Sequence, residues 1–189
     1  GTGVQVVGNS TLQGNKIGTN AAGTAALRNG NSGIQVQSSV TIGGTATGAG
    51  NLISGNSGHG IFLTNTAGQG YTATIQGNTI GLDSTGLTAL PNLAGVYSNS
   101  YDYPVIGGTS AAARNVILGN TSNNCIYIDA AVSATVQGNY LGTDVNGNVT
   151  ATAAAAGIRV VNTPAITIGG TAAGAGNLIR GTTNIGVRI

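Results

Sequence analysis

Apolar residues recur along the chain in short runs of three to five residues, where they alternate with polar ones. This alternation is typical of β-strands with one buried face. No stretch shows the 3.6-residue period of an amphipathic helix. Because each run is too short to bury its apolar face alone, the pattern predicts that the strands stack on one another.

A short string, Gly-Asn-x-Ile or Gly-Asn-x-Leu, punctuates these runs six times, with Arg114 in place of the glycine once. Successive asparagines are separated by 36, 27, 37, 24 and 38 residues, so that long and short steps alternate. Internal repetition at this period indicates a solenoid. The six asparagines are Asn15, Asn51, Asn78, Asn115, Asn139 and Asn177.

Each repeat divides into a strand before the asparagine, a strand after it, and a strand with a Gly-Ile-x-Val pattern. When equivalent strands are stacked, their inward residues form three aliphatic columns. The Gly-Ile-x-Val strands contribute Ile34, Ile61, Val96, Ile126, Ile158 and Val187. The strands before the asparagine contribute Leu12, Ile42, Ile75, Ile106, Val136 and Ile168. Those after it contribute Ile17, Ile53, Ile80, Ile117, Leu141 and Ile179.

Three columns enclose one prismatic core, and parallel crossovers are nearly always right-handed. The sequence therefore predicts an all-β fold, a single right-handed parallel β-helix of about six coils over residues 1–189. Neither end carries a capping segment, which exposed solenoid ends usually need. We expect the chain to be a segment of a longer solenoid; end-to-end stacking of identical copies is the alternative.

The six asparagines are predicted to lie at one corner of each coil. Parallel coils rise by about 4.8 Å, which allows side-chain amides to hydrogen-bond from coil to coil as a ladder. The glycine before each asparagine suits a corner with positive φ. The corner at Arg114 is expected to be more relaxed.

The composition of the chain limits the classes of partner that it could bind. The chain has 34 glycines, 5% charged residues and a net charge of +2. So few charged residues cannot form a basic patch that contacts the phosphates of a nucleic acid, so nucleic acid is not expected as a partner. No apolar run approaches the roughly 18 residues of a membrane-spanning helix. The single cysteine, Cys125, excludes an internal disulfide framework.

The strings TIQGNTIGLDSTGLTAL, TIGGTAAGAGNLIRG and VQGNYLGTDVNGN resemble the parallel β-helix repeats of secreted bacterial proteins. That superfamily includes pectate lyase-like enzymes and NosD-like proteins. The resemblance covers essentially the whole chain and implies the architecture. It does not imply one activity, because the superfamily spans lyases, epimerases, tailspikes, adhesins and inert stalks.

Polysaccharide lyases and hydrolases need clustered carboxylates as acid/base pairs or calcium ligands. The chain has four carboxylates, and the lyase pattern carries over to no position. Asp83 and Asp144 occupy equivalent loop positions, and the first repeat has Asn20 at this position. An asparagine there indicates that the two aspartates form turns and are not catalytic. We therefore assign no catalytic residue, no metal site and no cofactor. The four carboxylates are Asp83, Asp102, Asp129 and Asp144.

Three further features receive structural interpretations. The segment 144–148 faintly resembles a calcium loop but lacks the later glutamate, and a β-turn is the plainer account. His59 is the only histidine and lies in a Ser-Gly-His-Gly corner, which indicates a solvated turn. Cys125 stands where other repeats have glycine before the Gly-Ile-x-Val strand, so we interpret it as a small-residue substitution.

The most informative difference between repeats lies at the outward middle residue of the Gly-Ile-x-Val strand. An exposed aromatic strip flanked by arginine would suit sugar stacking or a protein contact. Packing between neighbouring strands is the structural alternative. The candidate residues of this exposed binding surface are Phe62, Tyr97, Tyr127, Arg159 and Arg188, together with Tyr101 and Tyr103 in the loop just beyond the strip. The column reads Gln5, Gln35, Phe62, Tyr97, Tyr127, Arg159 and Arg188.

A second outward column is rich in threonine, which could order water as in ice-binding proteins. The neighbouring outward position alternates glutamine and glycine, so no second threonine rank is expected beside it. Threonine also simply favours strands. The column reads Thr11, Thr41, Thr74, Val105, Thr135 and Thr167.

These patterns together predict a non-enzymatic structural or adhesive segment of an extracellular bacterial surface protein. Its partners would be a polysaccharide, another protein or further copies of itself. A carbohydrate-active β-helix whose catalytic residues are not identifiable here is the alternative, and ice binding through the threonine column is a second.

Overall fold

The computed structural model describes residues 1–66, 68–118, 121, 124–149 and 156–189. Within them the chain winds into three parallel sheets that stack as a β-solenoid of about six coils. This confirms the predicted all-β architecture. Each coil contributes one strand to each sheet, so that strands adjacent in a sheet come from successive coils.

The first sheet contains the Gly-Ile-x-Val strands. Its strands are β1 (Val4–Val6), β4 (Ile34–Val36), β7 (Ile61–Thr64), β10 (Val96–Asn99), β13 (Asn124–Asp129), β16 (Ala156–Val161) and β19 (Ile185–Arg188).

The second and third sheets lie on either side of the asparagine corner. The second sheet is made of β2 (Ser10–Leu12), β5 (Val40–Gly43), β8 (Thr72–Gln76), β11 (Tyr103–Gly107), β14 (Ser133–Gln137) and β17 (Ala165–Ile168). The third is made of β3 (Lys16–Ile17), β6 (Leu52–Ile53), β9 (Thr79–Ile80), β12 (Val116–Ile117), β15 (Tyr140–Leu141) and β18 (Leu178–Ile179).

The register confirms all three predicted aliphatic columns. Ile34 lies beside Ile61, and Val96 beside Ile126, in the first sheet. The inward side chains of the central coils are fully buried. Those of the outer coils, such as Ile168 and Val187, are partly exposed because only one neighbouring coil covers them.

The long loops fold back as hairpins. Antiparallel bridges join Thr19 to Ala26 and Leu82 to Ala89. The loop that contains Ser84 also contacts the loop two coils earlier, because the Ser84 N–H donates to the Gly23 carbonyl. These hairpins pack over the outer face of the third sheet, where Leu82, Val116, Leu118 and Tyr140 form a second apolar cluster.

In alternate coils a loop precedes the asparagine corner, at residues 43–50, 107–114 and 169–176, and it is shorter than the hairpin loops. In one of them a 3-10 helix, Ala111–Ala113, follows Ser110, whose hydroxyl accepts from the Ala113 N–H. Among the described residues, no helix is long and apolar enough to cross a membrane.

The backbone at the asparagine corner corrects one expectation. Gly14, Gly77 and Gly138 have φ of 66°, 69° and 67°, as predicted. Gly50 and Gly176 do not have positive φ. Arg114, the third residue that follows a short loop, has φ −62°. Arg114 is therefore not a relaxed exception: short loops reach the corner with ordinary backbone, whereas the other coils need glycine.

Gly50 serves a different purpose from the positive-φ glycines. A Cβ at this position would collide with the Gly77 carbonyl of the next coil. The glycine here permits close approach of two coils and not a special dihedral angle.

Candidate functional site

The asparagine ladder forms as predicted and runs without interruption through all six corners. Asn51 donates from its backbone N–H and from Nδ2 to the Asn78 Oδ1, at 3.0 and 2.9 Å. Asn78 repeats both bonds to the Asn115 Oδ1. From Asn51 onward, each Oδ1 thus accepts two donors from the coil before it, which satisfies the corner backbone.

A second, shorter asparagine ladder was missed by sequence analysis. Asn29 Nδ2 donates to Asn56 Oδ1 at 2.8 Å, and Asn56 Nδ2 donates to Asn92 Oδ1 at 2.9 Å. Asn92 Nδ2 continues to the Ile53 carbonyl. These asparagines lie in loops of different length, so no fixed string marks them. Their common position, shortly before the Gly-Ile-x-Val strand, was the available signal.

The aromatic column of the first sheet also forms. Strand register places Phe62 beside Tyr97, and Tyr97 beside Tyr127. The Phe62 and Tyr97 rings stack with centroids 5.3 Å apart, and the Tyr97 and Tyr127 rings with centroids 4.8 Å apart, both at an interplanar angle of 16°. The Arg159 guanidinium lies 4.7 Å from the Tyr127 ring centroid.

This stack leaves ring edges, and not ring faces, to a ligand. One face of Tyr97 is covered by Phe62 and the other by Tyr127. Tyr127 lies between Tyr97 and the Arg159 guanidinium. Sugars normally stack on a free aromatic face. A ligand on this column would instead meet the half-exposed edges, the tyrosine hydroxyls and the arginine.

His59 belongs to this column, contrary to the expectation of a solvated turn. Its ring lies 5.5 Å from Phe62 and 4.9 Å from Tyr97, in an edge-on arrangement with the latter. Burial against these rings lowers the pKa of His59. Burial also raises the pKa of Tyr97, with smaller contributions in the same direction from Tyr127 and Asp129 and an opposing one from Arg159. Both shifts favour the neutral form of the side chain.

The two tyrosines predicted beyond the strip differ. Tyr101 is 0% exposed and donates its hydroxyl to the Ser38 carbonyl at 2.6 Å, so its prediction as part of an exposed surface was wrong. The loop turns the ring into the core, where burial, Asp102 and Tyr71 raise its pKa. Tyr103 is 38% exposed and belongs to the second sheet.

All four carboxylates are engaged in hydrogen bonds within the chain. Asp102 is buried and accepts from the N–H groups of Gly68, Gly70 and Tyr71. Burial alone would raise the pKa of Asp102, but these backbone donors outweigh it and lower the pKa. Asp129 accepts from the Tyr127 hydroxyl and the Asn162 amide.

The other two carboxylates confirm the turn interpretation. Asp83 accepts from the Thr85 hydroxyl and from the Leu87 N–H. Asp144 accepts from the N–H groups of Asn146 and Asn148 within the segment that resembles a calcium loop. Among the described residues, no group of three or more histidine, cysteine or acidic side chains could hold a metal ion.

The remaining candidates carry little reactive chemistry. A cleft of about 530 Å³ over the asparagine corner contains Lys16 and Asp83, but Lys16 Nζ donates to the Ala21 carbonyl. Cys125 is buried, and burial raises the pKa of its thiol to about 12.

The threonine column forms in register but is interrupted by Val105. In the first coils it borders a shallow groove of about 460 Å³, to which Asn9, Ser39 and Thr72 also contribute polar side chains. Hydroxyls are therefore more numerous on this face than the glutamine–glycine alternation predicted. Ice binding stays a prediction.

Comparison with known proteins finds no matching family model, no similar curated protein and no similar solved structure. The architecture is established by the structure itself. The resemblance to pectate lyase-like and NosD-like proteins stays a prediction.

Proposed function

We propose that the chain is a non-enzymatic structural segment of a bacterial β-solenoid protein, displayed outside the cell, which contacts glycans through the outward column of its first sheet. The observation that carries this proposal is the continuous stack of Phe62, Tyr97 and Tyr127, extended by Arg159. It is the feature in which the repeats differ most while the rest of each coil repeats. The resemblance to secreted β-helix repeats supports the extracellular setting.

The non-enzymatic part of the proposal is supported by the state of the carboxylates. Each accepts hydrogen bonds from neighbouring groups, and Asp83, Asp102 and Asp144 are also buried. A general acid or base needs a carboxyl group that reaches a bound substrate. Release of reducing ends from any polysaccharide in an unbiased degradation screen would overturn this part.

Glycan contact is tested with paired substitutions on a glycan array. Tyr97→Phe with Tyr127→Phe keeps the stack but removes both hydroxyls from the exposed edges. We expect this double variant to lose at least about tenfold in affinity, as for two hydrogen bonds at roughly 1 kcal/mol each. Tyr97→Ala with Tyr127→Ala should abolish binding, because it removes the whole edge.

The matched control is Tyr140→Phe, which removes a tyrosine hydroxyl from the outward column of the third sheet, where Arg114 covers the ring. Its binding should equal that of the wild type. Equal binding by the wild type and both double variants would refute glycan contact at this column.

A further inference from the structure

Two arginines end the outward column of the first sheet. Arg159 and Arg188 are directly in register on neighbouring parallel strands. Like charges placed opposite each other across strands repel and destabilise the pair. This arrangement is therefore costly unless something compensates it.

Carboxylates of the chain do not supply the compensation. Asp129, the acidic residue nearest along the strands, is occupied by Tyr127 and Asn162. In the described part of the chain, the structure gives neither arginine an ion pair or a side-chain hydrogen bond. The Arg159 Nε is buried without an acceptor. Since an external anion does not reach a buried atom, the donors left for a ligand are the terminal NH2 groups of the guanidinium.

The position of Arg159 suits it to bind an anion. Tyr127 holds the face of the guanidinium, which fixes the orientation of the side chain. A guanidinium that is stacked through its face still presents N–H donors along its edge, and these match the geometry of carboxylate, sulfate and phosphate oxygens. The stacking along the outward column thus holds the Arg159 guanidinium in one orientation before any ligand binds.

Arg188 supplies the second positive charge. It is exposed, and it also lines a cleft of about 290 Å³ with Val160 and Asn162, to which Arg159 does not contribute. With strands about 4.8 Å apart, one tetrahedral or planar oxyanion can reach donors from both side chains. An anion here would also relieve the repulsion between the arginines.

We propose that Arg159 and Arg188 form an oxyanion-binding subsite, which takes a sulfate or carboxylate group of a ligand lying along the first sheet. This inference rests on the proposed function, because it names the ligand chemistry at one end of the same column. The stacked aromatic edges contact the uncharged part of the ligand, and the two arginines select an acidic group.

The experiment compares dextran sulfate with neutral dextran by titration calorimetry at about 0.15 M salt, where long-range attraction between exposed charges is largely screened beyond about 8 Å. The wild type should bind dextran sulfate and not dextran. Arg159→Gln and Arg188→Gln should each weaken binding about tenfold, as for one charge-assisted hydrogen bond. Arg159→Lys should fall between the wild type and Arg159→Gln, because it keeps the charge but loses the planar fork.

Arg28→Gln is the matched control, since it removes the same charge from an exposed residue in a long loop. It should bind like the wild type. An equal loss in Arg28→Gln, or no binding of dextran sulfate by the wild type, would overturn the subsite. Arg188 is exposed, so its variant keeps the test valid even if Arg159→Gln fails to fold.

Inorganic sulfate distinguishes the source of the oxyanion. If sodium sulfate at constant ionic strength binds with the same dependence on the arginines, the subsite accepts a free anion. If only the polymer binds with that dependence, the group must be carried by a larger ligand, and both results support the subsite. If glycan-array binding depends on Tyr97 but oxyanion binding depends on neither arginine, the subsite proposal is wrong and the glycan contact stands. If oxyanion binding depends on the arginines but glycan binding does not depend on Tyr97, only the glycan contact proposed for the tyrosines is wrong.

Discussion

At the scale of the residue, asparagine is the side chain that fits the repeated corner. Its Oδ1 accepts two donors from the preceding coil, and its Nδ2 still reaches a backbone carbonyl; in Asn78 this is the Ile42 carbonyl, at 2.9 Å. A serine hydroxyl has one donor hydrogen where the asparagine amide has two. A glutamine side chain would be too long to fit within one rise of the solenoid. The corner is buried, so each of these groups would otherwise be left unpaired.

Replacement of one central asparagine should therefore lower the free energy of unfolding substantially. Asn78→Ala leaves the buried Asn51 N–H without an acceptor, and it removes one hydrogen bond each from the Asn51 amide and the Ile42 carbonyl. The Asn51 amide keeps its bond to the Leu12 carbonyl. We expect a loss of about 3 kcal/mol in the free energy of unfolding, from roughly 1–3 kcal/mol for the unpaired N–H and roughly 1 kcal/mol for each of the two other bonds. Equilibrium unfolding in urea measures it.

Asn15→Ala is the control, because Asn15 is exposed at the first corner and accepts no bond from a preceding coil in this structure. It should cost roughly 1 kcal/mol, the typical value for hydrogen bonds near the surface. Equal losses in the two variants would show that burial of the ladder contributes nothing.

At the scale of the element, the loop before β8 depends on one distant side chain. Asp102 accepts from the N–H groups of Gly68, Gly70 and Tyr71, more than 30 residues earlier in sequence. The neighbouring Tyr101 is itself anchored in the core through the Ser38 carbonyl. Asp102, held beside it, thus fixes the backbone of Gly68, Gly70 and Tyr71.

Asp102→Asn should weaken folding in a pH-dependent way. The pKa of Asp102 is lowered in the folded state. Its contribution to stability is therefore present above the unfolded pKa of about 3.9 and is lost as the pH falls through the folded value. At pH 7 we expect a loss of roughly 2 kcal/mol, as for hydrogen bonds to a charged group.

The difference between wild type and variant should shrink as the pH falls below about 4, because the unfolded wild-type chain then takes up a proton on Asp102 that the folded chain, with its lowered pKa, binds only at lower pH. Urea unfolding at pH 7, 5 and 3 measures this. Asp129→Asn, which removes a carboxylate from a half-buried position, is the matched control and should cost less at pH 7. A difference that stays constant down to pH 3 would contradict the assigned role of the carboxylate.

At the scale of the whole molecule, the strands of each coil pair only with those of the two neighbouring coils, and a few loop contacts reach further. Stability in such solenoids is approximately a sum over coils and the interfaces between them. The central coils are covered on both sides, and Ile61, Val96 and Ile126 are 0% exposed. The outer coils are covered on one side, as the partial exposure of Ile168 shows.

Hydrogen exchange should reproduce this gradient. We expect the amides of β7, β10 and β13 to open with free energies at least about 1 kcal/mol above those of β1 and β19, since local opening draws on the least-covered elements first. Exchange followed by mass spectrometry or NMR measures it. Uniform protection along the axis would mean that the solenoid unfolds as a single unit.

The repeated part of the chain was predictable from the sequence. Alignment of the Gly-Asn-x-Ile strings gives the coil-to-coil register directly, and this register places the inward columns, the first asparagine ladder and the column from Phe62 to Arg188. Contacts that depend on the path of a loop were not predictable in this way. Tyr101 points into the core, His59 packs on the aromatic rings, and the ladder of Asn29, Asn56 and Asn92 spans loops of unequal length.

The sequence by itself determined that strands stack in parallel, because short alternating runs at a fixed period can bury their apolar faces in no other way. Only the tertiary structure decided which surfaces are available to a ligand. Side-chain spacing along the axis is about 4.8 Å, close enough for the rings of Phe62, Tyr97 and Tyr127 to cover each other's faces. The same spacing places Arg159 beside Arg188, as the outward column predicted, and only the structure shows that neither arginine has an ion pair or a side-chain hydrogen bond among the described residues.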